Sequence, residues 1–272
     1  MDERASLLRA RYGAEVPVPG AWNETLDLLL AHRSVRRYLP GPLPAGALEA
    51  AIAAAQSAST SSNLQVWSVI AVEDESRKAR LAALAGDQSH VARAPLLLIW
   101  LADLARVHHL SASAGEAGEG LEYFEAFLLA AVDAALAAQN AALALESLGL
   151  GCCYIGGMRN HAVEVAAELG LPQHVFALFG MTIGRPDPAR LPVVKPRLPQ
   201  DAILFREQYQ WSEAQQAAIA LYNERMRAFQ RSQGMTEQDW TVQSAKRVRD
   251  ARALTGRDVL REVLHRFGFK LR

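Results

Sequence analysis

The chain has 272 residues, half of them hydrophobic, and Lys+Arg and Asp+Glu each number 29. A chain this long and this apolar buries a core of its own, which excludes intrinsic disorder. Zero net charge gives no global field to draw in nucleic acid or an anionic membrane, so any anion must be held by a local cluster.

The first twenty residues read as a short arm ending in Pro17-Val18-Pro19-Gly20, and the acidic start lacks the apolar run of a signal peptide. Asn23 is placed to cap a helix that reaches about His32. There follows His32-Arg33-Ser34-Val35-Arg36-Arg37-Tyr38, with three arginines in five residues. A helix C-terminus favours cations and accounts for one or two of them. Arg33 and Arg36 with Ser34 between them read instead as half of a phosphate clamp, the other half being Lys195-Pro196-Arg197, while Arg37 is a surface cation.

A stiff turn over Pro40 to Pro44 leads into an alanine-rich helix from 45 to 58 and then into Ser57-Ala58-Ser59-Thr60-Ser61-Ser62-Asn63. These small polar residues compete for backbone hydrogen bonds and predict a loop, one able to cradle a phosphate or a ring edge. Strands are predicted at 66–72 and 95–101, with a helix over 75–85 between them. The longest periodic element, 121–148, is the expected central helix, ended by Gly149. Its stretch from Phe127 to Leu145 is apolar enough to suggest a membrane span, but Asp133, Gln139 and Asn140 interrupt it, and a central carboxylate costs about 2.5–3.5 kcal/mol on insertion. A buried helix is the better reading.

Strands at 152–155 and 175–183 flank a helix over 160–169 capped by Asn160, and the proline-rich stretch 184–199 runs over the surface. Segments 212–233, 238–253 and 256–267 read as helices. The order predicts an α+β fold around a mixed, mostly antiparallel sheet of four or five strands.

Other chemistries find little support. Cys152 and Cys153 are adjacent, which suits neither a disulfide nor a Cys-x-x-Cys site and fits a reducing cytoplasm. The histidines are dispersed and make no metal pattern. A G-x-G-x-x-G fingerprint would need glycine at Tyr154 and would open at a helix end, so Gly156-Gly157 reads as backbone that must approach something closely. No Gly-x-Ser-x-Gly elbow occurs. Asp250 breaks the basic segment 246–257 and Asp258 ends it, leaving nucleic-acid binding without a footprint.

Taken together, the motif at 32–38, the serine loop ending Asn63-Leu64-Gln65, Gly86 to Ala92, Ala138 to Ala141, Glu146 to Gly151, Tyr154 to Asn160, Leu171 to Val175 and Lys195 to Pro199 resemble the oxygen-insensitive nitroreductase and flavin reductase family, in its NADPH-preferring branch. The resemblance implies an intertwined α+β homodimer with FMN in each of two interface pockets. It also implies an FMN-binding core over residues 1–200 and a helical extension over 201–272 that packs on the core and on the partner subunit.

By similarity His32, Arg33, Ser34, Arg36, Lys195 and Arg197 hold the FMN phosphate, ribityl chain or pyrimidine edge. Thr60, Ser61, Ser62 and Gln65 come from the second subunit, Gln88 reaches the ring, and Tyr154, Ile155, Gly156, Gly157 and Met158 run beside it. No catalytic side chain and no metal is implied, because FMN carries the redox chemistry. The implied activity is ping-pong two-electron reduction of nitroaromatics, quinones or flavins by NADPH or NADH, in the cytoplasm. The alternative is a flavin-binding sensor or carrier. Asn63 and Arg159 are candidate acceptor contacts and Arg231 the candidate nucleotide contact. Thr236 stands where the branch carries a second arginine, which leaves the NADPH–NADH preference open, with Lys246, Arg247 and Arg249 as possible substitutes.

Overall fold

The computed structural model describes residues 2–272. In chain order the elements are α1 (Glu3–Tyr12), α2 (Glu24–Ala31), α3 (Ala47–Gln56), β1 (Trp67–Val72), α4 (Glu75–Leu84), α5 (Ser89–Arg93), β2 (Leu96–Asp103) and α6 (Ala105–Ser113). They continue with α7 (Phe124–Ser147), β3 (Gly151–Ile155), α8 (Ala162–Leu169), β4 (Val175–Gly184), α9 (Glu213–Ser232), α10 (Trp240–Arg247) and α11 (Leu260–Arg266). The chain divides into two compact units, one joining the segment up to Arg33 with Pro192–Leu254, the other joining Ser34–Leu191 with Thr255–Arg272.

The second unit holds a four-stranded sheet in the order β1-β2-β4-β3. Every pairing is antiparallel, so the sheet is not mixed. β2 has no polar alternation because both of its faces are covered. Leu96, Leu98 and Trp100 pack with α3 and α7, and Leu97, Ile99 and Leu101 pack with α4, α5 and α8. Against α3, the α7 face is alanine: Ala137, Ala138, Ala141 and Ala142 meet Ala47, Ala51 and Ala55. Side chains this small let two helices approach closely.

The first half of α7 packs, through Ala126, Ala130 and Ala134, in a cluster with Phe176, Leu264, Phe267 and Phe269. By length and composition α7 is apolar enough to cross a membrane, yet its alanine face belongs to the core. Its outward face carries Phe124, Leu128, Val132 and Leu136, all exposed and spaced four apart.

In the other unit, α1 replaces the expected N-terminal arm. Asp2 accepts a hydrogen bond from Arg4 N, and Gly13, at φ 66°, closes the helix with its N–H on Arg9 O. Leu8 and Arg11 form its buried face. α9 opens with a capping box between Ser212 and Gln215 and buries Tyr222, Met226 and Gln230. Tyr222 meets Trp240 of α10 edge to face at 5.4 Å, and the Asn223 side chain bonds both Thr241 N and Thr241 Oγ1.

Three further expectations are corrected. The last two helices are shorter than their sequence pattern, because Val248 to Val259 holds only a 3-10 turn, Ala251–Leu254. Asn160 does not cap α8; His161 occupies the N-cap with no side-chain bond. The histidines are not all dispersed, since the rings of His108 and His174 stack with centroids 3.9 Å apart.

Candidate functional site

The motif at 32–38 is split between the two units. In the first, His32 follows the last turn of α2. The Arg33 side chain donates to Ala31 O at 3.1 Å and Pro192 O at 3.4 Å. It lines a cavity of about 460 Å³ with Arg9, Arg225, Val193, Val194 and Pro196. In the extended loop, Pro196 is buried while Lys195 and Arg197 on either side are exposed. The loop is held bond by bond: Tyr222 Oη donates to Pro196 O at 2.9 Å, and Arg197 N donates to Arg11 O at 2.8 Å. A larger cavity of about 780 Å³ lies along α1 and α9 and is lined by none of the expected flavin contacts.

In the second unit, Ser34 to Tyr38 runs beside β3, with Val35 N donating to Cys152 O at 2.9 Å and Val35 itself buried. Tyr38 anchors the far end through hydrogen bonds to Val35 O and Thr182. Arg36 is exposed, and Ser34 and Arg36 both lie against the Cys153 thiol. Burial pushes that thiol up, against the opposing pull of the Arg36 charge and the hydrogen bonds from Ser34 and Arg36. An inert thiol of this kind is structural.

The serine loop is not a flexible linker. Ser62, Asn63 and Gln65 all take left-handed φ, at 50°, 55° and 51°, a conformation that costs non-glycine residues on the order of 1–3 kcal/mol each. The surroundings enforce it. Asp133, 2% exposed on α7, accepts from Thr60 Oγ1 at 2.5 Å and Ser61 N at 3.3 Å. Gln65 N in turn donates to Thr60 Oγ1 at 2.9 Å, and the Gln65 amide reaches Asn63 Oδ1 at 3.2 Å. The loop side chains from Ser61 to Gln65 are exposed on this pinned backbone.

β3 ends at Ile155 and turns through a 3-10 segment, Gly156–Arg159. Ile155 and Met158 are buried in the core, whereas Tyr154 is 37% exposed and its hydroxyl donates to Gln139 Oε1 at 3.4 Å. The two glycines differ. A Cβ at Gly157 would fall 2.7 Å from Gln88 Nε2, whose amide is engaged with Ala85 O at 2.7 Å, so protein packing alone demands glycine there. A Cβ at Gly156 would meet only guanidinium groups, 3.5 Å from Arg159 Nη2 and 3.7 Å from Arg257 Nη1. Arg257 donates to Asn160 Oδ1 at 2.9 Å, and Arg159 donates to Leu178 O. Burial first, and then the charge of Arg257, depresses the Arg159 pKa from its ordinary value. Two like charges this close favour an anion.

The candidate nucleotide contact is engaged within the protein. Arg231 forms a two-pronged pair with Glu237, at 2.8 and 2.9 Å. Arg247 donates to Ala253 O and Arg249 pairs with Asp250.

The sequence pattern of the "Nitroreductase family" matches residues 29–185, and that of the "Nitroreductase family, C-terminal domain" matches residues 195–272. The chain belongs to the nitroreductase family. Among relatives, the FMN reductase (NADPH) of Bacillus subtilis is 43% identical over 188 residues, 69% of this chain and 75% of that protein. The oxygen-insensitive NADPH nitroreductase of Salmonella typhimurium is 38% identical over 250 residues, 91% of this chain and 99% of that protein. The solved structure of NfrA1 from B. megaterium matches with a TM-score of 0.85 at 37% identity, over 91% of this chain and 100% of that one.

Three residues of this nitroreductase that bond or adjoin candidate site residues were not singled out for the site from sequence: Arg11, Asp133 and Arg257. Asp133 carried a signal, a lone carboxylate inside an apolar helix, which is retained only where it is bonded. Arg11 and Arg257 carried none, since an arginine in a polar segment is ordinarily a surface residue.

Proposed function

We propose that the chain is an FMN-dependent NAD(P)H oxidoreductase that reduces nitroaromatics, quinones or flavins by two electrons in ping-pong exchange. The supporting observation is a set of cations without carboxylate partners. Among the described residues, no ion pair joins Arg33, Arg36, Lys195 or Arg197 to an acidic side chain. Such a donor set fits a phosphorylated flavin, because a dianionic phosphate supplies the missing counter-charge. The relatives' names, an NADPH-dependent FMN reductase and an NADPH nitroreductase, point the same way.

Bound FMN supplies the two-electron redox chemistry. The chain's residues bind and orient: His32, Arg33, Lys195 and Arg197 hold the phosphate and ribityl chain, with Ser34 and Arg36 as further donors. Thr60, Ser61, Ser62 and Gln65 offer hydroxyls and amides on a rigid loop, while Gln88 and the backbone of Tyr154 to Met158 border the ring. Arg159, now joined by Arg257, attracts the anionic part of a nucleotide or acceptor, and Asn63 borders the acceptor.

Residues 201–272 act as the extension that supplies Arg231 to the nucleotide, whose phosphate would have to displace Glu237 from the guanidinium. A homodimer is supported by the exposed stripe of Phe124, Leu128, Val132 and Leu136, an apolar strip of the kind that marks an interface. The cytoplasm is the expected compartment.

The test is anaerobic stopped-flow mixing with NADPH and NADH, followed by a panel of acceptors. Purified protein is expected to be yellow, to lose flavin absorbance on adding NADPH and to regain it with a quinone or nitroaromatic. A colourless protein that cannot be reconstituted with FMN would sink the reading, and bound FMN that no nucleotide bleaches would turn it toward the carrier.

A further inference from the structure

α1 precedes both segments matched by the family patterns, which begin at residue 29, yet its buried arginine holds both arms of the phosphate clamp. Arg11 is 8% exposed. Its Nη2 donates to Leu30 O at 2.8 Å and to His32 O at 2.7 Å, and its Nη1 donates to Lys195 O at 3.3 Å. Its own carbonyl accepts from Arg197 N at 2.8 Å. One residue is therefore bonded to the backbone of His32, Lys195 and Arg197, three of the residues expected to hold phosphate.

A guanidinium suits this position for two reasons. The carbonyls in the last turn of α2 lack helical partners and carry the negative end of the dipole. The planar fork also fixes the separation of the two segments it bridges, which a lysine's single flexible ammonium does not.

We infer that Arg11 is a positioning residue for FMN: it sets the spacing between His32-Arg33 and Lys195-Arg197, and so sets the preference for the phosphorylated flavin over riboflavin. The inference rests on the FMN reading above. Arg11 touches backbone and leaves the side chains of Arg33, Lys195 and Arg197 to meet the phosphate.

The experiment compares dissociation constants for FMN and for riboflavin on deflavinated full-length protein, by flavin fluorescence, for wild type, R11M, R11K, L8A and R33A. R11M is expected to weaken FMN at least about tenfold, the scale of one lost charge-assisted bond, with riboflavin changed less than about twofold. R11K falls between R11M and wild type, and also carries the test if R11M does not fold. L8A, which loosens the same helix without touching the clamp, keeps the wild-type ratio of the two constants. If R11M and R11K keep that ratio while R33A loses it, Arg11 is only a structural brace and the inference fails alone. If wild type shows no preference for FMN over riboflavin, or R33A leaves it intact, the phosphate-clamp reading fails and the inference with it.

Discussion

Gly156 and Gly157 look equivalent in the sequence, and the structure separates them. Gly157 is walled by the carbonyl of Ala85 and the Gln88 amide, while Gly156 faces the guanidinium groups of Arg159 and Arg257 at ordinary contact distance. Gly157→Ala is expected to destabilise the fold by about 1–3 kcal/mol through overpacking. Gly156→Ala is expected to stay within about 0.5 kcal/mol of wild type, because the added methyl meets its neighbours no closer than 3.5 Å. Urea unfolding of both variants checks the contrast; equal losses would mean that Gly156 is as closely confined as its neighbour.

Among the elements, the serine loop and α1 show why local pattern is an incomplete guide. Composition identified a polar loop at 57–63, but its left-handed backbone is held by Asp133 on α7, 73 residues beyond Thr60. Asp133→Ala leaves the Thr60 hydroxyl and the Ser61 N–H without their acceptor and is expected to cost about 1.5–3 kcal/mol, the range for a bond to a charged group. Hydrogen exchange at Ser61 and Gln65 should quicken with it; unchanged protection would mean the loop holds its left-handed turn unaided. α1 escaped a reading based on apolar periodicity because half of its buried face is an arginine, and the start and stop residues that the structure shows, Asp2 and Gly13, were not read as such. The helices at 47–56, 75–84 and 124–147 were legible because alanine and leucine dominate their buried faces, with Lys78 and Asp133 the exceptions.

For the whole molecule, acid stability is the measurable consequence of packing. Burial holds His108 and His174 below the ordinary value of 6.5, and for His174 the facing His108 ring and Lys270 add to it. Burial does the same to His90, with Arg36, Arg37 and Arg93 adding repulsion. The folded chain thus binds fewer protons than the unfolded chain between those depressed values and 6.5, so stability rises with pH across that window. The contribution is complete above about 6.5 and is lost as pH falls through the folded-state values. Thermal midpoints are expected to be lower at pH 5.5 than at 7.5, and His108→Phe, which keeps a ring against His174, should shrink the difference. An undiminished difference would assign the effect to His90 and to the burial of His174, which the substitution leaves in place.

Residue pattern by itself determined the α+β class, the four strands, the central helix and the family, because these follow from apolar periodicity and from short motifs read along the chain. It also singled out the cations, since three arginines in five residues exceed what a helix end requires. Only the tertiary structure decided which backbone those cations stand on and what holds that backbone still. The carboxylate that pins the serine loop and the guanidinium that braces the clamp are each far in sequence from what they hold. Contacts of that range arise from packing, and neither composition nor spacing encodes them locally.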